Sequence, residues 1–347
     1  MVIEMDKSDF LSEKVEPIDL DEVCSVGAIA KAFERTSFQS RNLAHCVKVY
    51  EDMLLEDNIT IFLGISGAMV PAGMRKVISK MIRVGMVDVV VSTGANLYHD
   101  LFEALGFHHY LGSCSVDDKL LAKYRIDRIY DTYADDNDFI VLDEILYDII
   151  EQMEPTTYST REFFHLLGSH IREKQSIVRT CYEMEVPVFC PTIHDSGIGI
   201  VLTKYYERGG ELNIDLLRDN YEILQISLKS ENTGAVYIGG GVPKNYIQQI
   251  SPMRHILGYE EKGHKYAIQI TTDDPKWGGL SGCTLSESVS WKKLLEHSKN
   301  ATVYMDATIG LPLIAKAVIE NVGDELSNRK RARFEWAGDK LISLIYG

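Results

Sequence analysis

The stretch "AVYIGGGVPKNYI" (residues 235–247) runs four apolar residues into three glycines, with a proline two positions later. A short apolar run without polar alternation suits a strand covered on both faces. The glycines allow a tight turn, and Pro243 suits the first turn of a following helix. A strand feeding a helix through such a turn is the building unit of a parallel sheet. The same grammar recurs in "ITIFLG" (59–64), "VDVVVSTG" (87–94), "VPVFCPTI" (186–193), "YAIQITT" (266–272) and "ATVYMDA" (301–307). Helical patterns such as "PAGMRKVISKMIRVG" (71–85) and "DFIVLDEILYDIIEQM" (138–153) separate most of them. The expected fold is α/β, doubly wound, with a mainly parallel sheet and helices on both faces. One domain over residues 28–323 is expected, preceded by an acidic arm (1–27) and followed by a helical tail (324–347). The tail carries Arg329-Lys330-Arg331-Ala332-Arg333, read as a solvated helix face.

The chain has 347 residues, 45% hydrophobic and 25% charged, enough to bury a large core. Its 51 acidic and 36 basic side chains leave a formal charge of −15, which repels phosphate backbones and argues against nucleic acid as a partner. Cys24, Cys46, Cys114, Cys181, Cys190 and Cys283 are scattered, with no close CxxC pair and no leader-like start. Neither a metal site nor a disulfide framework is expected, and the location expected is cytoplasmic. No run approaches the roughly 18–20 apolar residues of a membrane span, so no membrane partner is expected.

In parallel sheets, ligands collect at the carboxyl ends of the strands. Those ends carry Ser92-Thr93-Gly94, His194-Asp195-Ser196, Gly239-Gly240-Gly241, Thr271-Thr272-Asp273 and Asp306-Ala307. The glycine turn can bring backbone N–H groups close to a diphosphate, or it can simply be a tight turn. It is not GxGxxG, since Lys244 stands where the third glycine belongs. Asp306 can accept from a ribose or cap the helix "TIGLPLIAKAV". The residues alone leave these alternatives open, and "STGAN" (92–96) poses the same pair.

"SESVSWKK" (286–293) raises a further choice between a solvated lysine pair and a lysine nucleophile. A nucleophilic lysine must be neutral, and with a free pKa near ~10.4 only about one in a few thousand is neutral at pH 7. Burial or a neighbouring cation depresses that value, and Trp291 with Lys292 can supply one of each.

Taken together, "VPVFCPTIHD", "IGGGVPK", "ESVSWKK" and a strand ending "DA" thirteen residues after the second lysine resemble deoxyhypusine synthase over roughly residues 40–320. The family pattern reads "EAVSWGK". The resemblance implies an enzyme that uses NAD to oxidise spermidine, expels 1,3-diaminopropane, and holds the aminobutyl unit as an imine on a lysine. That lysine matches Lys293. Glu287 and Trp291 match substrate-contacting positions, where a carboxylate pairs with an ammonium and an indole face attracts an alkylammonium. Thr93, Asp195, Gly240, Thr272, Asp306 and Ala307 match NAD-contacting positions, flanked by Gly94, Gly239 and Gly241. A homotetramer with shared active sites is implied as well.

The departures concern the amine pocket. Where the family has a glutamate, this chain has His99. Ile200 and Leu280 replace substrate-binding aspartates, Asn245 replaces the histidine following the glycine turn, and Trp277 replaces an aspartate of the cofactor loop. Charged hydrogen bonds contribute about 1.5–3 kcal/mol each, so spermidine binding weakens unless other acids substitute, and Asp273 and Asp274 stand nearby. His99 is a candidate general base. The intact "STGANLYHD" (92–100) is similar to the deoxyhypusine-synthase-like branch, which implies a small amine acceptor such as putrescine and homospermidine as product. The alternatives are modification of a lysine on the precursor of translation initiation factor 5A, or a non-catalytic homologue that binds NAD or polyamine.

Overall fold

The computed structural model describes residues 6–347, so residues 1–5 of the expected arm lie outside the described part. Six strands form the central sheet: β1 Ile59–Ile65, β2 Val89–Ser92, β3 Val188–Phe189, β4 Asn232–Ile238, β5 His264–Thr271 and β6 Leu294–Tyr304. Every neighbouring pair is parallel, and the order across the sheet is β6-β5-β4-β1-β2-β3. The chain winds outward from β1 through β2 to β3, returns to the other side of β1 and winds outward again, which is the order of a dinucleotide-binding fold. The reversal falls between β1 and β4.

Strand residues alternate between two apolar layers, as the period of two requires. Leu63, Val90, Val236 and Ile268 face one layer, and Phe62, Val89, Ala235 and Ala267 face the other. All seven residues of β1 and all four of β2 are buried, which explains why they lack polar alternation. At the edge, β6 differs: most of its residues are open to solvent because only β5 pairs with it.

Two segments depart from the sequence reading. Residues 110–135 hold a small antiparallel sheet of Tyr110–Leu111, Ile126–Ile129 and Thr132–Asp135. The expected helical tail is a short helix, Gly323–Ser327, followed by a hairpin of β7 Ala332–Ala337 and β8 Lys340–Tyr346. The physical reason is visible in "ARFEWA": Phe334 and Trp336 alternate with charged residues and pack with buried Leu341. Gly338 makes the turn at φ +62°. The basic cluster is accordingly no solvated helix face, since Arg329 and Arg331 are buried against Asp88 at the start of β2. Ahead of the sheet, Ser25 caps the helix Val26–Phe33 through its hydroxyl, and the preceding arm is anchored by Arg35 on Glu13 and Glu16.

Candidate functional site

The ends of β1 and β4 meet at the reversal of the sheet. Ser66, one residue past β1, accepts from the Gly240 N–H at 2.8 Å and donates to the Ile238 carbonyl at 2.8 Å. Gly239 and Gly241 take φ values of +70° and +56°, where a side chain is strained. Gly240 is required for a different reason: a Cβ there would lie 2.4 Å from Ser281 Cα. The Gly241 N–H donates to Ser281 Oγ at 2.9 Å. Two N–H groups of the glycine turn are thus held by serine hydroxyls, a role for Ser66 and Ser281 that the sequence reading missed. Ser66 follows an apolar run directly, so the strand-end rule could have found it.

Beside β1, buried Asn96 ties two strand ends together. Its amide donates to the Gly67 carbonyl at 2.7 Å and to Thr93 Oγ1 at 3.1 Å, and its carbonyl accepts from Met69 N–H at 3.0 Å. Gly94 allows the loop after β3 to approach, since a Cβ would fall 2.5 Å from Ser196 Oγ. Asp195, Thr272, Asp273 and Asp306 are exposed along the same carboxyl edge, with Ala307 half-buried at its end. Asp306 caps its helix, accepting from Thr308 N–H at 2.8 Å. Asp274 pairs with Lys276 at 2.7 Å.

A cavity of about 890 Å³ runs from the loop after β1 to Asp306 and Thr308, with Glu103, His109 and the 110–132 insertion on its far wall. Of the residues matched to NAD contacts, Asp306 lines it, while Thr93, Asp195, the glycine turn, Thr272 and Ala307 lie outside its lining. Asp306 stands where a ribose acceptor would be useful.

The lysine segment lies on one face of the sheet. Thr284 caps the helix Leu285–Ser290 by accepting from the Glu287 N–H at 3.0 Å. The chain then turns through Lys292 at φ +58°, which accounts for the glycine in the family pattern at this position. Lys293 follows, half-buried, its N–H bonded to the Ser288 carbonyl and its carbonyl to the His264 N–H. Its ammonium stands 5.6 Å from the centre of the Trp291 ring. Trp291 is 63% exposed and Lys292 is exposed, so Trp291 does not enclose the ammonium.

Lys244, by contrast, is enclosed. It is 1% exposed, and its ammonium donates to Gln269 Oε1 at 2.9 Å and to the Cys283 carbonyl at 2.5 Å. Burial pushes its pKa down to about 8; Cys283, Glu287 and Asp273 oppose the shift while Lys293 adds to it. Gln269 in turn donates to the Gly239 and Ser281 carbonyls. The glycine turn, the 279–283 loop and the Lys293 helix are therefore one hydrogen-bonded unit, and Lys244, Lys293, Glu287 and Asp273 share one electrostatic neighbourhood. Asn245 is half-buried beside Lys244.

His99 is not brought to Lys293 within the chain. It sits on the helix after β2, and β2 is four strand positions from β6, about 19 Å at ordinary strand spacing. Its Nδ1 is 3.0 Å from His109 Nε2, and His109 Nδ1 is 2.9 Å from Glu103. Burial, with His109 adding, lowers the His99 pKa to about 4, so the ring stays neutral at pH 7. Ile200, Trp277 and Leu280, where the family has acids, are all exposed apolar side chains. Among the described residues no cluster of metal-binding side chains occurs, and no helix is long and apolar enough to cross a membrane.

Comparison with known proteins gives a consistent family. The family model for deoxyhypusine synthase matches residues 28–318. A protein of Methanosarcina acetivorans named "Probable deoxyhypusine synthase 2" is 46% identical over 341 residues, covering 97% of this chain and 98% of its own. A second protein of that organism, "Probable deoxyhypusine synthase 1", is 43% identical over 297 residues, covering 85% and 90%. The crystal structure of "a putative deoxyhypusine synthase from Entamoeba histolytica" superposes with a TM-score of 0.60 at 18% identity, covering 88% of this chain and 97% of that one, a likeness of fold.

Proposed function

The chain belongs to the deoxyhypusine synthase family, and from that premise we propose that it transfers the aminobutyl group of spermidine to a small amine, forming homospermidine when the acceptor is putrescine. The observation that carries the reading is the Lys293 ammonium on the Trp291 ring, in the same electrostatic neighbourhood as a buried lysine of the glycine turn.

Thr93, Asp195, Gly240, Thr272, Asp306 and Ala307 would hold NAD along the carboxyl edge of the sheet. The chemistry NAD supplies when bound is hydride removal from the carbon beside the secondary nitrogen of spermidine, and hydride return to the final imine. The Lys293 amine adds to that oxidised carbon; the carbon–nitrogen bond to 1,3-diaminopropane breaks, and the aminobutyl unit stays on Nζ as an imine. The acceptor amine then adds to the same carbon and releases Lys293. Glu287 and Asp273 pair with the terminal ammonium, and the face of Trp291 attracts it. Lys244 is a positioning residue, holding the 279–283 loop and the Lys293 helix against the glycine turn.

The exchange of two substrate-side acids for exposed Ile200 and Leu280 supports a changed acceptor pocket. It also suits cover by a second copy of the chain, as in a homotetramer with shared sites. The printed names of both relatives favour a second reading, transfer to a lysine of the precursor of translation initiation factor 5A. Mass spectrometry after incubation with NAD, spermidine and either putrescine, agmatine or that precursor protein separates the two. Homospermidine is expected from putrescine, and Lys293→Ala is expected to abolish it while NAD binding persists. Labelling of the protein acceptor alone would replace the first reading by the second.

A further inference from the structure

At the amino end of the sheet, opposite the site above, lies a cavity of about 440 Å³ lined by Lys80, Arg83, Arg329, Arg331 and Arg333 and by no carboxylate. The gathering follows from the hairpin. Arg329 reaches the Ile59 and Gly85 carbonyls and pairs with Asp88 at 2.6 Å; Arg331 bonds the Val87 carbonyl. Gly85, at φ +83°, lies under the Arg331 side chain, which a Cβ there would meet at 3.1 Å.

The neighbouring acids do not balance these charges. Asp88 pairs with Arg329, Glu183 is shared between Arg83 at 3.1 Å and Arg179 at 2.9 Å, and Glu185 lies 3.6 Å from Arg333, so the lining cations are only partly balanced. Arg331 is only 8% exposed, yet its Nε and Nη1 have no hydrogen-bond partner among the described residues, and Arg329 Nε has none either. Asp88 approaches Arg331 Nε only at 3.9 Å, beyond hydrogen-bond reach. Buried guanidinium donors normally find acceptors, and unpaired ones are costly. In a chain of net charge −15, a concave cluster of incompletely compensated positive charge is a built feature of this fold.

We propose that this cavity binds a small phosphate-bearing anion, held by Lys80, Arg83 and Arg333 above the buried positive charge of Arg331 and Arg329. Phosphate matches the planar donors of arginine. The binding is independent of the reaction at the carboxyl edge, because β1 and its neighbours lie between the two ends of the sheet.

The test is equilibrium dialysis and calorimetry on the full chain at constant ionic strength, with inorganic phosphate, pyrophosphate, ADP and citrate as separate probes, with and without saturating NAD. Saturable binding of at least one phosphate-bearing probe is expected, one per chain and unchanged by NAD. Lys80→Ala with Arg333→Ala, both on exposed side chains, is expected to weaken it about tenfold or more, and Arg331→Met to abolish it while the thermal transition persists. Strength falling from pyrophosphate to inorganic phosphate assigns a diphosphate, and ADP binding more tightly than pyrophosphate assigns a nucleotide. No saturable binding, citrate alone binding, full competition by NAD, or unchanged affinity in the double variant overturns the proposal.

Discussion

Replacing Lys244 with methionine keeps the length of a buried side chain and removes its charge. The wild-type amine titrates at about 8 in the folded protein against an ordinary 10.5, chiefly because burial disfavours the ammonium. The folded state therefore binds fewer protons than the unfolded chain between those two values, and stability rises with pH across that window. The contribution is complete above the unfolded value and is lost as pH falls through the folded one. The full difference corresponds to about 3 kcal/mol, of which about 2 kcal/mol develops between about pH 7.5 and about pH 10. Methionine has no such dependence. It does leave the Gln269 Oε1 and Cys283 carbonyl without their donor, which costs on the order of 1–3 kcal/mol for each group and hardly changes with pH. Urea unfolding followed by intrinsic fluorescence, at one protein concentration and several pH values, gives the stability difference between wild type and Lys244→Met. That difference should grow in favour of wild type by about 2 kcal/mol over the window. Parallel curves would show that burial does not burden this lysine, and its role as the low-pKa member of the cluster would be lost.

Lys292 stands at φ +58°, so Lys292→Gly is expected to stabilise the chain by about 1 kcal/mol, and an unchanged or lower urea midpoint refutes the strained turn. Asp88→Ala strands the buried Arg329 and Arg331 guanidinium groups and is expected to cost about 3–5 kcal/mol; a loss below about 1 kcal/mol would mean that the pair is not buried as described. His99, with a pKa of about 4, is expected to show no proton NMR titration between about pH 5 and about pH 8, and stability is lost as pH falls from the ordinary 6.5 through that value. A His99 titration midpoint near neutrality would contradict the burial of the His99–His109–Glu103 chain.

The central strands were legible because each is buried on both faces, and burial leaves its mark as uninterrupted Val, Ile and Leu. The Lys293 segment was legible as a pattern of residue types, and the glycines at its far end as a turn. One segment misled. "RKRAR" reads as a helix face by composition, yet the alternation in "ARFEWA" and "KLISLIY" governs, and Arg329 and Arg331 find Asp88 more than two hundred positions away.

Local chemistry sets what can be read along the chain: which runs are apolar enough to be strands, where the backbone must turn at a positive φ, and which residue types could react. Which of two lysines is buried depends on what other segments cover it. Lys244 carries no local sign of being enclosed, and becomes so only because Gln269 and Cys283, brought in by other parts of the chain, close over its ammonium. Strand order, the meeting of Ser66 with Gly240, and the excess of positive charge at the amino end are likewise products of long-range packing. Pairing between distant segments depends on the whole core, and no single stretch contains it.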